Sequence, residues 1–131
     1  MHKRILSDPQ SLKVFQSRTA EYIDVQLPME YLQRSRVIGY YNKENVLCGG
    51  YVFVTEGPFR VIDSIPREQK NNLKKFYYTV NEEQVCEVTG LWFSSKLYKK
   101  KCSFRFWISF IKEALALDRK YFVYLLPGLI G

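Results

Sequence analysis

The sequence predicts an α+β domain: a mixed, mainly antiparallel sheet with helices packed on it. Three observations carry that expectation. Residues 37–54 hold two β-rich runs separated by the polar turn Asn42, Lys43, Glu44 and Asn45, the pattern of a hairpin. Residues 86–126 read strand, basic loop, helix, strand, and such a crossover makes its two strands parallel. Asp8 before Pro9 opens a stretch in which Leu12, Phe15, Tyr22 and Ile23 recur at roughly helical spacing.

Taken in order, the spacing predicts a helix over residues 9–23, with Asp8 as its N-cap. Pro28 can start a short second helix over residues 29–34. Residues 37–41 and 46–54 are the two hairpin strands. Gly49 and Gly50 lie inside the second of these, where glycine signals a bulge or a close backbone approach. Gly57 and Pro58 mark a turn, and residues 59–64 continue the sheet. Residues 67–75 are polar and weakly helical, and Phe76, Tyr77 and Tyr78 anchor that segment to the core.

Residues 86–93 are apolar and β-branched, which predicts a central strand. Residues 94–103 form a basic loop. In the helix over residues 104–117, Phe104, Trp107, Ile108, Ile111 and Leu115 make one apolar stripe. Phe106, Phe110, Ala114 and Leu117 make a flank. A helix apolar over that much of its circumference is expected to be buried on more than one side. Residues 121–126 fit a buried parallel strand.

The chain of 131 residues reads as a single domain over residues 1–131. With 47% hydrophobic and 16% aromatic residues it cannot be a disordered tail. No stretch is apolar for long enough to span a bilayer. Cys48, Cys86 and Cys102 are odd in number and form no close pair. No signal-type apolar core follows Met1, His2, Lys3 and Arg4. Together these point to a reducing, cytoplasmic location. His2 is the one histidine, so no metal centre and no Ser-His-Asp chemistry is expected. The net charge of +7 is uneven: residues 1–36 carry +2, residues 37–94 carry −1 and residues 95–131 carry +6. The cluster Lys96, Lys99, Lys100, Lys101 and Arg105 suits phosphate, or is a solvated basic loop.

The hairpin over residues 37–53, the strand Glu87-Val88-Thr89-Gly90-Leu91-Trp92-Phe93 with Ser94 and Ser95 after it, and the loop and helix over residues 96–117 together resemble the GNAT superfamily of acyl-CoA-dependent N-acyltransferases. They are similar to that family's second and third strands, its fourth strand, and its pyrophosphate loop with the following helix. The likeness covers nearly all of the chain and stops at the fifth strand. It implies a shortened C-terminus, because the family's last helix and last two strands have no counterpart after Leu126.

The family's loop reads Gln or Arg, two residues, Gly, one residue, then Gly or Ala. Those glycines let backbone N–H groups approach the pyrophosphate at a helix N-terminus. In one register Tyr98 takes the Gln/Arg position, Lys101 the first glycine and Ser103 the small residue. One residue further on, Lys99 fits the basic position, and Cys102 and Phe104 replace both glycines. The pattern is degenerate either way. Lys99, Lys100 and Lys101 offer mobile point charges where the family offers shaped backbone contacts. The resemblance implies acyl-CoA as co-substrate at Lys99, Lys100, Lys101, Cys102, Ser103 and Phe104. It implies that backbone N–H groups near Leu91, Trp92 and Phe93 face the pantetheine and the thioester carbonyl. The acceptor would be a small amine or a peptide amine.

Acyl transfer to an amine needs a base, an oxyanion donor and a proton for the thiolate. Glu87 stands where some family members carry a carboxylate base, and a base of that kind needs burial to raise its pKa. The alternative is an outward-facing ladder glutamate. Tyr121 and Tyr124 read as packing residues, and Cys102 is a thiol without a histidine base. Three functions stay open. One is an N-acyltransferase (acetyltransferase) moving an acyl group from acyl-CoA to an amine. Another is a catalytically inactive GNAT-like module that binds a ligand or a protein. The third, a nucleic-acid binder, is least favoured, because the middle of the chain is net acidic and its aromatics follow core periodicity. Residues 121–131 carry no charge. An apolar last strand predicts self-association or a partner that covers it, unless Leu129 and Ile130 fold back over the edge.

Overall fold

The computed structural model describes residues 2–57, 59–60, 82–94 and 100–124. The fold is α+β, and among the described residues there is one five-stranded sheet whose strands lie in chain order. Strand β1 (His2–Leu6) pairs antiparallel with β2 (Arg36–Tyr41), β2 with β3 (Leu47–Val54), and β3 with β4 (Val85–Phe93). Strand β5 (Tyr121–Tyr124) runs parallel to β4, as the crossover predicts. Helices α1 (Pro9–Ile23) and α2 (Met29–Gln33) cover one face, and α3 (Lys100–Ala116) packs on the other.

Helix α1 begins where Asp8 and Pro9 require. The Asp8 carboxylate accepts the Ser11 N–H at 2.9 Å, and that bond lowers its pKa below the usual carboxylate range. The helix ends at Asp24, whose left-handed φ of 54° lets its N–H donate to Ala20 O at 3.0 Å. Leu12 and Phe15 are fully buried against the sheet. Strand β3 is buried along all eight residues, because helices lie on both of its faces.

Gly50 explains how α1 comes so close. A Cβ at Gly50 would stand 2.6 Å from the Phe15 ring and would also collide with the carbonyl oxygen of Ile38 across the ladder. The close backbone approach expected of the Gly49-Gly50 pair is therefore real, and the β3–β4 register shifts beside it.

Five expectations are corrected. Strand β1 has no strand expectation in the sequence: His2, Lys3 and Arg4 are polar and, like Ile5, exposed, yet they form an edge strand protected by its charges. The basic loop is shorter than residues 94–103, since α3 already starts at Lys100. Strand β5 is only half-buried, with Phe122 and Tyr124 exposed. The fourth correction concerns α3, which is buried on one side only. Phe106 is fully buried, in ring contact with Tyr40, Tyr51 and Phe93, and Phe110, Ala114 and Leu117 pack beside it. The stripe Phe104, Trp107, Ile108, Ile111 and Leu115 faces outward. Both stripes have helical period, so periodicity cannot tell which one meets the sheet. The expectation that residues 59–64 continue the sheet fails at Phe59 and Arg60, which are in no strand. The expectations for residues 61–64, 67–75 and 76–78, and for the chain after Tyr124, lie outside the described residues. Among the described residues, no helix is long and apolar enough to cross a membrane.

Two stability measurements check this packing. Phe106→Ala should cost about 3–5 kcal/mol and Leu115→Ala no more than about 0.5 kcal/mol in urea unfolding. The reverse order would mean that the other stripe faces the sheet. Gly50→Ala should lower the urea midpoint by the equivalent of about 1–3 kcal/mol, because Phe15 and the β2 backbone must both move.

Candidate active site

The site is organised by an irregularity in β4. Gly50 lies opposite Trp92 and Val52 opposite Thr89, so Gly90 and Leu91 together oppose Tyr51 alone. This is a β-bulge, and Gly90 has the left-handed φ of 61° that such a bulge assigns to glycine. The extra residue inverts the alternation of side chains along the strand. Before it, Val85 packs on the α1–α2 face and Cys86 and Val88 on the α3 face. After it, Trp92 is on the α1–α2 face and Leu91 and Phe93 are on the α3 face.

Glu87 is fully buried on the α1–α2 face, and the ladder-glutamate alternative, outward-facing and solvated, does not hold. One carboxylate oxygen accepts the Tyr31 Oη–H at 2.7 Å and the Arg60 backbone N–H at 3.1 Å. Buried carboxylates need such donors. Tyr31 comes from α2 and is itself nearly inaccessible. Burial first, and its bond to Glu87 second, push the Tyr31 phenol far above its ordinary pKa. The guanidinium carbons of Arg34 and Arg60 lie 5.0 and 5.5 Å from the centre of the Tyr31 ring. Those cations oppose the upward shift and are outweighed. Arg34 also donates to Glu56 O at 2.7 Å, which ties α2 to the turn after β3.

Trp92 is a core residue. Its Nε1–H donates to Thr19 Oγ1 at 2.9 Å and its ring stacks on Tyr22 at 4.5 Å. Leu91 and Phe93 are half-buried on the opposite face, Phe93 with its ring 4.9 Å from Phe106. The Ser94 N–H donates to Cys48 O on β3 at 2.8 Å. Successive N–H groups of a strand point to opposite edges, so the Phe93 N–H is turned toward the β5 side. Among the described residues, Val85 to Val88 pair with Tyr121 to Tyr124. A crossover helix returns antiparallel to its strands, so the N-terminus of α3 lies at the carboxyl end of β4.

The remaining sequence candidates separate. Lys99 lies outside the described residues. Lys100, Lys101 and Cys102 have helical backbone in the first turn of α3, and Ser103 is half-buried there. Phe104 is 70% exposed and takes no part in the core. The structure thus places the bulge, the end of β4 and the first turn of α3 at one end of the sheet, and Glu87 on the face opposite α3. Tyr31 and Arg60 were not anticipated. They lie 56 and 27 positions from Glu87, and no local pattern links residues so far apart. Among the described residues, no group of His, Cys, Asp and Glu could hold a metal ion. Cys86 is buried, and that burial pushes its thiol up to about 11, so it is no nucleophile near neutral pH.

The phenols set an alkaline limit. On the α3 face the Tyr51 hydroxyl lies 2.8 Å from that of Tyr40, and burial raises the Tyr51 pKa. Tyr31 and Tyr51 thus hold their protons in the folded chain above about pH 10, where an unfolded tyrosine releases its own. Their contribution is complete below that pH and is lost as pH rises beyond it. Urea midpoints should fall steeply above about pH 10. Tyr31→Phe should lower the neutral-pH stability by about 1–3 kcal/mol, since Glu87 loses a donor, yet flatten the alkaline slope. An unchanged slope would contradict the assignment.

No protein-family model, no curated protein and no solved structure matches this chain, so its chemistry is read from the β4 bulge, Glu87 and the start of α3.

Proposed function

We propose that the chain is a GNAT-like N-acyltransferase that moves an acyl group from acyl-CoA to an amine. The observation that carries this reading is the β4–α3–β5 unit: two parallel strands, a glycine bulge in the first, and a helix whose first turn holds Lys100 and Lys101. A bulge turns backbone N–H groups away from the ladder, and such groups can polarise a thioester carbonyl without any particular side chain. The start of α3, with lysines in place of acids, suits a pyrophosphate. Glu87 is the candidate base. In that role its carboxylate takes the proton of the attacking amine as the C–N bond forms and the C–S bond breaks, and the thiolate leaves with a proton from solvent.

One observation favours the second reading, a catalytically inactive ligand-binding module. The Glu87 carboxylate is fully buried and held by Tyr31 and Arg60, the geometry of a carboxylate that ties α2 to β4.

Thermal unfolding with and without acetyl-CoA separates these. Saturation at a hundred times Kd should add about 2.7 kcal/mol of stability. Glu87→Gln keeps an acceptor for Tyr31, so it should bind acetyl-CoA unchanged while lowering amine acylation about 100-fold or more. Binding without turnover in the parent chain would select the module. No binding of acetyl-CoA or of a longer acyl-CoA would sink both the acyltransferase and the acyl-CoA-binding module.

A further inference from the structure

The outward face of α3 does nothing for the core, and its chemistry is specific. Phe104, Ile108, Ile111 and Leu115 recur at intervals of four, three and four residues, which is one line along a helix. They are 70%, 37%, 50% and 75% exposed, and Trp107 borders the line at 44%. Arg105 and Lys112 are exposed and stand seven residues apart, so they share one flank of that line. The single acid of the helix, Glu113, is turned to the other side. It is bound to Lys3 Nζ at 2.6 Å and to Arg36 at 3.3 Å, which neutralises it against β1 and β2. Among the described residues of α3, the outer face is thus an apolar ridge with cations beside it and no carboxylate.

We infer that this face of α3 docks on an anionic lipid surface, the helix lying in the interface with its apolar ridge in the acyl boundary and Arg105 and Lys112 among the headgroups. Helices that lie on membranes combine Lys/Arg on the polar side with Trp, Phe and Leu on the other. Tryptophan at the margin matches the headgroup level. A ridge is convex, and a lipid surface accepts it without a complementary groove. Charge excludes a second copy as the favoured occupant. Antiparallel pairing of two α3 ridges sets the Arg105–Lys112 flank against its own copy, and parallel pairing brings the two lysine-bearing first turns together. The helix has no free acid to answer either. The ridge is on the face of the sheet away from Glu87, and the inference stands on the exposed residues of α3 without use of the proposed acyl transfer.

Sedimentation of the full chain with sucrose-loaded vesicles tests this. Vesicles with about a third phosphatidylserine should bind at least about tenfold more chain than neutral phosphatidylcholine vesicles, and salt should weaken that binding. Trp107 emission should shift to the blue on binding. Trp107→Phe, which leaves only the buried Trp92, should abolish the shift. Phe104→Ser with Leu115→Ser, and separately Arg105→Glu with Lys112→Glu, should each reduce binding at least about tenfold. All four side chains are exposed, so both variants should keep the parent circular dichroism spectrum; the charge pair decides the matter if the serine pair does not fold. Equal binding to neutral and anionic vesicles overturns the inference. So does anionic binding that neither variant changes. Absence of vesicle binding together with a dimer broken by Leu115→Ser overturns it as well, in favour of a second copy.

Discussion

Phe15 rests where the sheet has no side chains, and much of the architecture depends on that seat. Its ring lies over Gly50 of β3, at 2.6 Å from where a Cβ would stand, and reaches Gly90 of β4 at 3.5 Å by the same measure. Two glycines on neighbouring strands thus form a shallow hollow. Helix α1 drops into it and buries Leu12 and Phe15 completely. The approach requires glycine at Gly50, whereas a Cβ at Gly90 would only touch Phe15 and glycine is called for there by the φ of 61° that forms the bulge.

The bulge then controls which chemistry faces which layer. Without the extra residue, Glu87 would share a face with Leu91 and Phe93, and Trp92 would turn toward α3. With it, Glu87 and Trp92 both enter the core under α1 and α2, the first held by Tyr31 and the second by Thr19. These two bonds give the buried Tyr31 hydroxyl and the buried Trp92 indole N–H their acceptors, so each helix is fixed to β4 by a hydrogen bond as well as by apolar contact. The same irregularity lies near the carboxyl end of β4, the strand that precedes α3 in the chain.

Helix α3 shows a division of labour in one element. Its inner stripe completes an aromatic cluster with Tyr40, Tyr51, Phe53 and Phe93, and a Tyr40–Ser109 hydrogen bond at 2.5 Å closes the polar atoms of that cluster. Its outer stripe is as apolar and remains in solvent. Exposed apolar area of that extent is a binding feature in folded domains more often than a packing remnant. The acid of the helix is bound to Lys3 and Arg36, which leaves Arg105 and Lys112 as the charges beside that apolar stripe.

Local chemistry was enough to determine much of the chain. Asp8 and Pro9 set the start of α1, the polar run Asn42 to Asn45 set the hairpin, and the loop–helix unit required β4 and β5 to be parallel. Each depends on groups a few residues apart. The glycines of β3 were legible as a close approach, but not what approaches. Strand β1 was hidden because an edge strand with one buried residue has the composition of a solvated terminus. Glu87 was legible as a candidate, whereas its partners were not, because Tyr31 and Arg60 meet it only after the helices close on the sheet. Which apolar stripe of α3 is core was likewise a tertiary decision: period 3.6 identifies both stripes equally, and only the shape of the sheet, with a space that Phe106 fills among Tyr40, Tyr51 and Phe93, selects one and leaves the other outside.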